Sequence, residues 1–184
     1  MPDRIASSEA VGRSNLLIGN TPGFTPQVGR LVSMMNYTRS VTLEAVEGLG
    51  VAELDYLHDA QANSIGALLW HIGAAEVGYQ AATFDGDLST EATDKWGVAF
   101  ELGERARREI RGYALEHYLS ALEQVRARTL SELARRDDQW LEEQALTRGG
   151  VPVNNYFKWF HVMGHEINHR GQIRWLRSRA MRTT

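Results

Sequence analysis

The stretch from residue 154 to residue 180 most constrains what this chain can fold into. Its apolar side chains recur on nearly every side of a helix, at Phe157, Trp159, Phe160, Val162, Met163, Ile167, Ile173, Trp175 and Leu176. A helix that is apolar all round is stable in water only when its own fold and another subunit cover it. The stretch therefore predicts a buried helix and a homodimer, in which some of four residues form the subunit contact: Trp159, Phe160, Met163 and Ile167.

Three of the six histidines of the chain lie in this stretch, as His161, His165 and His169. Each follows the previous one by four residues, so on a helix they share one face, with ~6 Å between neighbouring Cβ atoms. Two neighbouring imidazoles can then ligate one metal ion, whereas all three span ~12 Å along the helix axis. The spacing predicts one chelating pair and one further histidine, and it leaves open which pair that is.

The same helical periodicity appears in three further segments, so the chain is predicted to be all-α. The four predicted helices run near residues 27–49, 64–84, 113–135 and 154–180, and they form one four-helix bundle without a sheet. Residues 1–26 are predicted to be an irregular N-terminal arm because of their glycines and prolines, which leaves 27–184 as the bundle domain. Residues 85–112 are predicted to be a long connection, a kind of segment that often forms a lid or a pocket wall.

The composition excludes several classes of site and partner. A net charge of −3 gives no reason to expect a nucleic acid or an anionic membrane as partner. The chain has no cysteine, so any metal ligands must be His, Asp or Glu. The first residues lack the apolar segment of a signal peptide, and the apolar run 65–84 contains His71 and Glu76, which favours a buried helix over a membrane span. These features favour a cytoplasmic protein.

Residues 165–169 read H-E-x-x-H, the motif in which two histidines ligate zinc and the glutamate is the general base of a protease. The best-known enzymes with this motif take a third ligand from further along the chain. The residues after His169 include no His, Asp, Glu or Cys. A zinc protease with Glu166 as its base is therefore not predicted, and a third ligand would have to lie upstream.

His71 is the upstream candidate, because it lies in the middle of the second predicted helix. Bundles often bind metals through side chains of facing helices, and three neutral imidazoles with an open position are typical of a catalytic site. Small residues surround His71 on the helical wheel: Ala67, Ala74, Ala75, Gly78 and Ala82. They predict either space for a ligand beside the imidazole or close packing of another helix, with His71 hydrogen-bonded in the core.

Two motifs together resemble those of a known family. Trp70-His71-Ile72-x-x-x-Glu76 and His165-x-x-x-His169-Arg170-Gly171-Gln172-Ile173 are similar to motifs of the DinB/YfiT-like superfamily, over roughly residues 27–178. The resemblance implies an up-down-down-up four-helix bundle that is often dimeric. It implies His71, His165 and His169 as ligands of one metal ion. His161 matches a position that is often histidine but is not counted as a ligand, and no role is implied for Glu166.

The resemblance also implies a class of chemistry. Characterised relatives are S-transferases that use low-molecular-weight thiols, and a maleylpyruvate isomerase, while many members have no known activity. For this chain it implies one divalent ion, zinc or nickel with iron or manganese as alternatives, and a small-molecule substrate. A thiol would belong to a co-substrate, because the chain has no cysteine. The expected function is metal-dependent thiol transfer; the alternatives are a hydrolase that activates bound water and a non-catalytic stress-response protein that binds a metal. No catalytic residue and no organic cofactor are predicted.

Overall fold

Helices dominate the computed structural model, which describes residues 17–181. This part of the chain contains eight α-helices: α1 (Pro26–Val46), α2 (Val51–Leu54), α3 (Ile65–Gln80), α4 (Thr90–Glu101), α5 (Gly103–Glu109), α6 (Leu115–Leu133), α7 (Asp138–Glu142) and α8 (Asn155–Ala180). A π-helical turn at Ala81–Asp85 extends α3, and two short strands, β1 (Gln144–Leu146) and β2 (Pro152–Asn154), precede α8. The all-α prediction is confirmed.

The first and last long helices, α1 and α8, run in the same direction. Near their C-terminal ends the Arg177 guanidinium donates a hydrogen bond to the carbonyl oxygen of Ala45, and near their N-terminal ends Val28 and Trp159 share one cluster of buried apolar residues. Phe84, which follows α3, stacks on Trp159 near the start of α8 with 5.2 Å between the ring centroids. Helix α3 is therefore antiparallel to α8.

Helices α3 and α6 run in the same direction as each other. The ring of Tyr118, near the start of α6, fills the space beside Gly66, near the start of α3. Near the other end, Arg128 of α6 forms an ion pair with Asp85, just after α3. The long helices thus run up, down, down and up, and the predicted order is confirmed.

The two helices that carry the predicted ligands begin at capped residues. The Ser64 hydroxyl accepts a hydrogen bond from the backbone N–H of Ala67 at the start of α3. The Asn154 side-chain oxygen does the same for the N–H of Phe157 at the start of α8. Such caps satisfy amides that have no partner within the helix, and they fix the residue at which each ligand-bearing helix begins.

The core consists of two apolar clusters with charged residues between them. On α1, Arg39 is buried between Val28, which belongs to one cluster, and Val46, which belongs to the other. Glu166 is buried in the corresponding position on α8. A buried charge is tolerated only when it is paired, so this layer must contain its own counter-charges.

The prediction of a fold without a sheet is wrong at one place, because β1 and β2 form an antiparallel pair with Ala145 opposite Val153. The turn between them includes Gly150 at a φ of 76°, a left-handed conformation that glycine adopts without steric cost. The strand residues are exposed or half-buried. The hairpin therefore lies on the surface and leaves the bundle unchanged.

Residues 85–112 are not a loop, since α4 and α5 occupy most of the segment. The Ser89 hydroxyl caps α4 by accepting a hydrogen bond from the backbone N–H of Ala92, and Trp96 of α4 is buried. The Trp96 ring lies against Gly73 of α3, where an added Cβ would come within 2.7 Å of the ring. Because Gly73 has no side chain, α4 packs directly on α3 and forms a wall of the bundle.

Two of the four residues expected at a subunit contact lie in the chain's own core. Trp159 and Met163 are 0% and 5% exposed, because they face the apolar cluster that α1 and α7 complete. Phe160 and Ile167 are exposed. Of the four residues, Phe160 and Ile167 thus remain available for a subunit contact, and the homodimer itself stays a prediction.

The predicted N-terminal arm, residues 1–26, lies largely outside the described residues, so the division into an arm and a domain stays a prediction. Residues 17–25 contain turns and no helix. Within residues 17–181, no helix combines the length and the hydropathy that a membrane crossing requires.

Candidate metal centre

Three histidines meet at the seam between α3 and α8. The Nε2 atom of His165 lies 3.0 Å from Nε2 of His71 and 3.1 Å from Nε2 of His169. One ring nitrogen from each residue lies within 4.8 Å of the others, and all three side chains are half-buried. The structure therefore brings together the three residues that the resemblance singles out.

The outer nitrogens of two rings are held by oxygen atoms. His71 Nδ1 donates to the backbone carbonyl of Ala99 at 2.6 Å, and His169 Nδ1 donates to the side-chain oxygen of Gln172 at 2.9 Å. These oxygens only accept hydrogen bonds, so the ring protons lie on Nδ1. The Nε2 lone pairs of His71 and His169 then point into the centre, an arrangement that is usual for metal-ligating histidines.

The donor set fits a divalent cation. His165 Nε2 can supply at most one proton for its two short contacts, at 3.0 and 3.1 Å, because both facing nitrogens are acceptors. Two imidazoles on one zinc ion, each with a bond of ~2.0–2.1 Å, place their nitrogens ~3.0–3.4 Å apart. A cation between the rings would satisfy all three lone pairs, which one shared proton cannot do.

The surroundings keep the central imidazoles neutral. Burial lowers the pKa of His165 to about 3, with further contributions from His169, His71 and His161. Burial also lowers the pKa of His71, and it outweighs the hydrogen bond to Ala99, which acts in the opposite direction. Metal ligation requires neutral imidazole, so at pH 7 these two residues are in the protonation state that a ligand needs.

His161 lies outside the group of three nitrogens. Its ring centroid is 6.3 Å from that of His165, and its side chain is exposed beside Tyr79 and Phe157. The two histidines of α8 that lie close to His71 are therefore His165 and His169, and ligation of a metal by this pair stays a prediction.

The glutamate of the H-E-x-x-H sequence points away from the three histidines. Glu166 is 1% exposed and pairs with Arg39 at 2.8 Å and with Arg126 at 3.4 Å. Successive residues on a helix are ~100° apart, so Glu166 faces the core while His165 faces α3. A carboxylate held in this way is not available as a general base.

A buried ion cluster beside the histidines was not predicted from the sequence. Each long helix contributes one charge, and the four residues are Arg39, Glu76, Arg126 and Glu166. Although burial raises the pKa of Glu76, the charges of Arg126 and Arg39 outweigh it and lower the pKa to about 2. The available signal was Arg126, which follows Leu122 by four residues and therefore lies on the apolar stripe of α6.

Aromatic side chains of α4 cover part of the α3 surface beside His71. Phe100 of α4 packs on Gly78, where an added Cβ would lie 3.2 Å from the ring, and Trp96 covers Gly73. Close packing thus occupies the space beside Gly78, whereas Ala75 is half-buried and Ala82 is exposed, so a space for a ligand beside His71 stays a prediction. Helix α4 also supplies the Ala99 carbonyl that orients the His71 ring.

An open groove lies along the same seam, on the side of His169. It has a volume of about 520 Å³ and runs between the residues before α3 and the C-terminal half of α8. Gln172 links it to the site, since this side chain lines the groove and also accepts the hydrogen bond of His169. A ligand in the groove would therefore lie next to the three imidazoles.

Comparisons with known proteins agree with this fold. A family model described as the DinB superfamily matches residues 34–173. No curated protein matches the chain significantly. Among solved structures, the chain is similar to a conserved protein from Enterococcus faecalis, with a TM-score of 0.66 and 16% identity over 80% of this chain and 92% of that one. At this identity the likeness shows the fold alone.

Proposed function

This chain belongs to the DinB superfamily, and from that premise we propose that it is a metal-dependent transferase that uses a low-molecular-weight thiol. His71, His165 and His169 would hold one divalent ion, with zinc or nickel favoured over iron or manganese. The observation that carries the proposal is the convergence of three Nε2 atoms, two of which have their Nδ1 protons fixed by oxygen acceptors.

The ligand set supports an activating role for the ion. Three neutral imidazoles leave the positive charge of a divalent ion uncompensated, and such an ion, when bound, lowers the pKa of a thiol or water that joins it. Imidazole nitrogens suit zinc and nickel well. The half-buried position of the three rings leaves access for a small ligand.

The transfer itself must use a thiol from outside the chain, because the sequence contains no cysteine. In the proposed reaction the sulfur of the co-substrate forms a bond to an electrophilic carbon. The bond from that carbon to its leaving group breaks, and the thiol proton passes to solvent. The chain's own contribution is to orient the imidazoles through the Ala99 carbonyl, which α4 supplies, and through the Gln172 side chain.

Hydrolysis is the second candidate, since the same arrangement would activate water and the site is open to solvent on one side. A protein that binds a metal without catalysis is the third. The three candidate functions differ in what is consumed, so assays of thiol and ester consumption with matched variants separate them.

The test is to load the protein with zinc, nickel or manganese and to follow thiol consumption with monochlorobimane as electrophile. We expect metal-dependent consumption that His165→Ala abolishes and His161→Ala retains. Consumption no faster than in His165→Ala, across several thiols and all three metals, would remove the transferase proposal. Turnover of ester substrates by the loaded protein would then favour the hydrolase.

A further inference from the structure

The groove beside His169 has a distinctive lining. Four carboxamide side chains, those of Gln61, Asn63, Asn168 and Gln172, share it with apolar surface from Trp175 and Leu68. Its volume of about 520 Å³ lies within the ~300–1,000 Å³ that is usual for small-molecule sites. The groove is therefore large enough for the body of a small co-substrate.

Among the residues that the structure describes, those that line this groove include no charged side chain. Arg107, which lies beside it, donates a hydrogen bond to the Gln61 carbonyl oxygen, and the Arg179 guanidinium stacks on the Trp175 ring at 3.5 Å from its centroid. An anionic ligand body would lose hydration here without gaining a counter-charge from the lining. The lining thus favours an uncharged ligand.

The carboxamides offer paired donors and acceptors to such a ligand. Each carries one carbonyl oxygen and one NH2 group. Within residues 17–181, the Asn168 side chain and the Gln172 amide nitrogen have no hydrogen-bond partner in the structure, while the Gln172 oxygen is occupied by His169. These groups match the amides and hydroxyls of a neutral polar molecule.

We propose that this groove binds the uncharged, amide- or hydroxyl-bearing body of the thiol co-substrate, with the sulfur directed towards the three imidazoles. The direction of the sulfur in this inference rests on the proposed thiol chemistry. Binding of the ligand body in the groove does not, and it can be tested separately. Gln172 connects the two functions, because it contacts His169 and lines the groove.

Two compounds of similar size test the charge preference: pantetheine, an uncharged thiol with amides and hydroxyls, and glutathione, which carries two carboxylates and an amine. Their S-methyl derivatives form no thiolate, so isothermal titration with zinc-loaded protein reports on the groove. We expect the pantetheine derivative to bind at least about tenfold more tightly. Asn168→Asp should weaken its binding about five- to tenfold, the loss expected for one hydrogen bond plus an added charge.

The matched control is Asn36→Asp, the same substitution at an exposed position on α1 that does not line the groove. Equal or tighter binding of the glutathione derivative would overturn the proposal, as would equal effects of Asn168→Asp and Asn36→Asp. The monochlorobimane assay keeps the two proposals apart. Asn168-dependent binding of the pantetheine derivative with no turnover of any thiol contradicts the transferase proposal alone. Turnover of other thiols without binding of the pantetheine derivative contradicts the groove assignment alone.

Discussion

At the scale of residues, the site depends on three imidazoles whose orientation is fixed from outside. Ala99 and Gln172 hold the outer nitrogens of His71 and His169, so the lone pairs are directed inward before any ion binds. Sequence spacing predicted one chelating pair on α8 without selecting it. The place of His71 in the second predicted helix made it the upstream candidate, and the resemblance then implied the full set of three. Neither could predict the Ala99 carbonyl, because a backbone acceptor has no signature in the side-chain pattern.

The histidine pKa values predict how the stability of the metal-free protein depends on pH. Burial holds the pKa of His165 at about 3 in the folded chain, against ~6.5 in an unfolded chain. Between these pH values the unfolded chain therefore binds more protons than the folded chain. The free energy of unfolding then decreases as the pH falls. The stability that neutral, buried His165 contributes to the fold is present above pH ~6.5 and is lost as the pH falls towards 3.

We expect the melting temperature of the chelator-treated protein to fall as the pH is lowered from 7.5 to 5. The melting temperature of His165→Asn should fall by less over the same range. Differential scanning fluorimetry measures both. An equal pH dependence of the two proteins would show that His165 does not titrate in this way.

At the scale of elements, the packing of α4 on α3 and the four-helix ion cluster were the parts that the sequence did not reveal. The four long helices were predictable from local periodicity, since each stripe repeats within its own segment. The contact of Trp96 with Gly73 joins residues from two segments, and the pairs of Arg39 and Arg126 with Glu76 join three helices. Such contacts depend on which helices become neighbours.

The ion cluster leads to a prediction about stability. Glu76→Gln would leave two buried arginines facing one carboxylate, Glu166, and an uncompensated buried charge costs about 3–5 kcal/mol. Urea unfolding should show a loss of that order. Glu109→Gln, which removes one partner of an exposed ion pair on α5, should cause no measurable change. Equal stabilities of Glu76→Gln and the wild type would show that the cluster is not paired as the structure has it.

The close contact of α4 with α3 predicts a difference between two glycine substitutions. Gly73→Ala would place a Cβ within 2.7 Å of the Trp96 ring, so α4 must move, at a cost of about 1–3 kcal/mol. Gly97→Ala, in α4 itself, meets nothing within 4 Å and should stabilise the helix by up to about 1 kcal/mol.

Because α4 carries the Ala99 carbonyl, Gly73→Ala should also weaken metal binding, which Gly97→Ala should leave unchanged. Denaturant unfolding and a competition titration with a zinc chelator measure the two effects. A Gly73→Ala protein with wild-type metal affinity would mean that α4 does not orient His71.

At the scale of the whole molecule, an exposed apolar strip on α8 remains after the bundle is complete. It contains Phe157, Phe160 and Ile167, which are 52%, 56% and 44% exposed. The sequence predicted that α8 is apolar on nearly every side, so apolar residues outside the core were expected. Which of its side chains face the core and which face outward became clear only from the structure. Trp159 and Met163 turn inward because α1 and α7 lie on their side.

We predict that this strip forms the contact of a homodimer. Phe160→Glu should convert the dimer to a monomer at micromolar concentration, because it places a charge in the centre of the contact. Leu146→Glu, at an exposed apolar position on the surface hairpin, should remain dimeric. Light scattering coupled to gel filtration gives both masses. A monomeric wild type would contradict the prediction.

The central claim is that His71, His165 and His169 hold one divalent ion, and elemental analysis of the purified protein tests it most directly. About one ion per chain is expected in the wild type and in His161→Ala, since three imidazoles complete a site for one ion. His165→Ala should retain only a small fraction of the metal. A metal-free wild type from metal-supplemented medium, or a loss in His161→Ala as complete as that in His165→Ala, would contradict the claim.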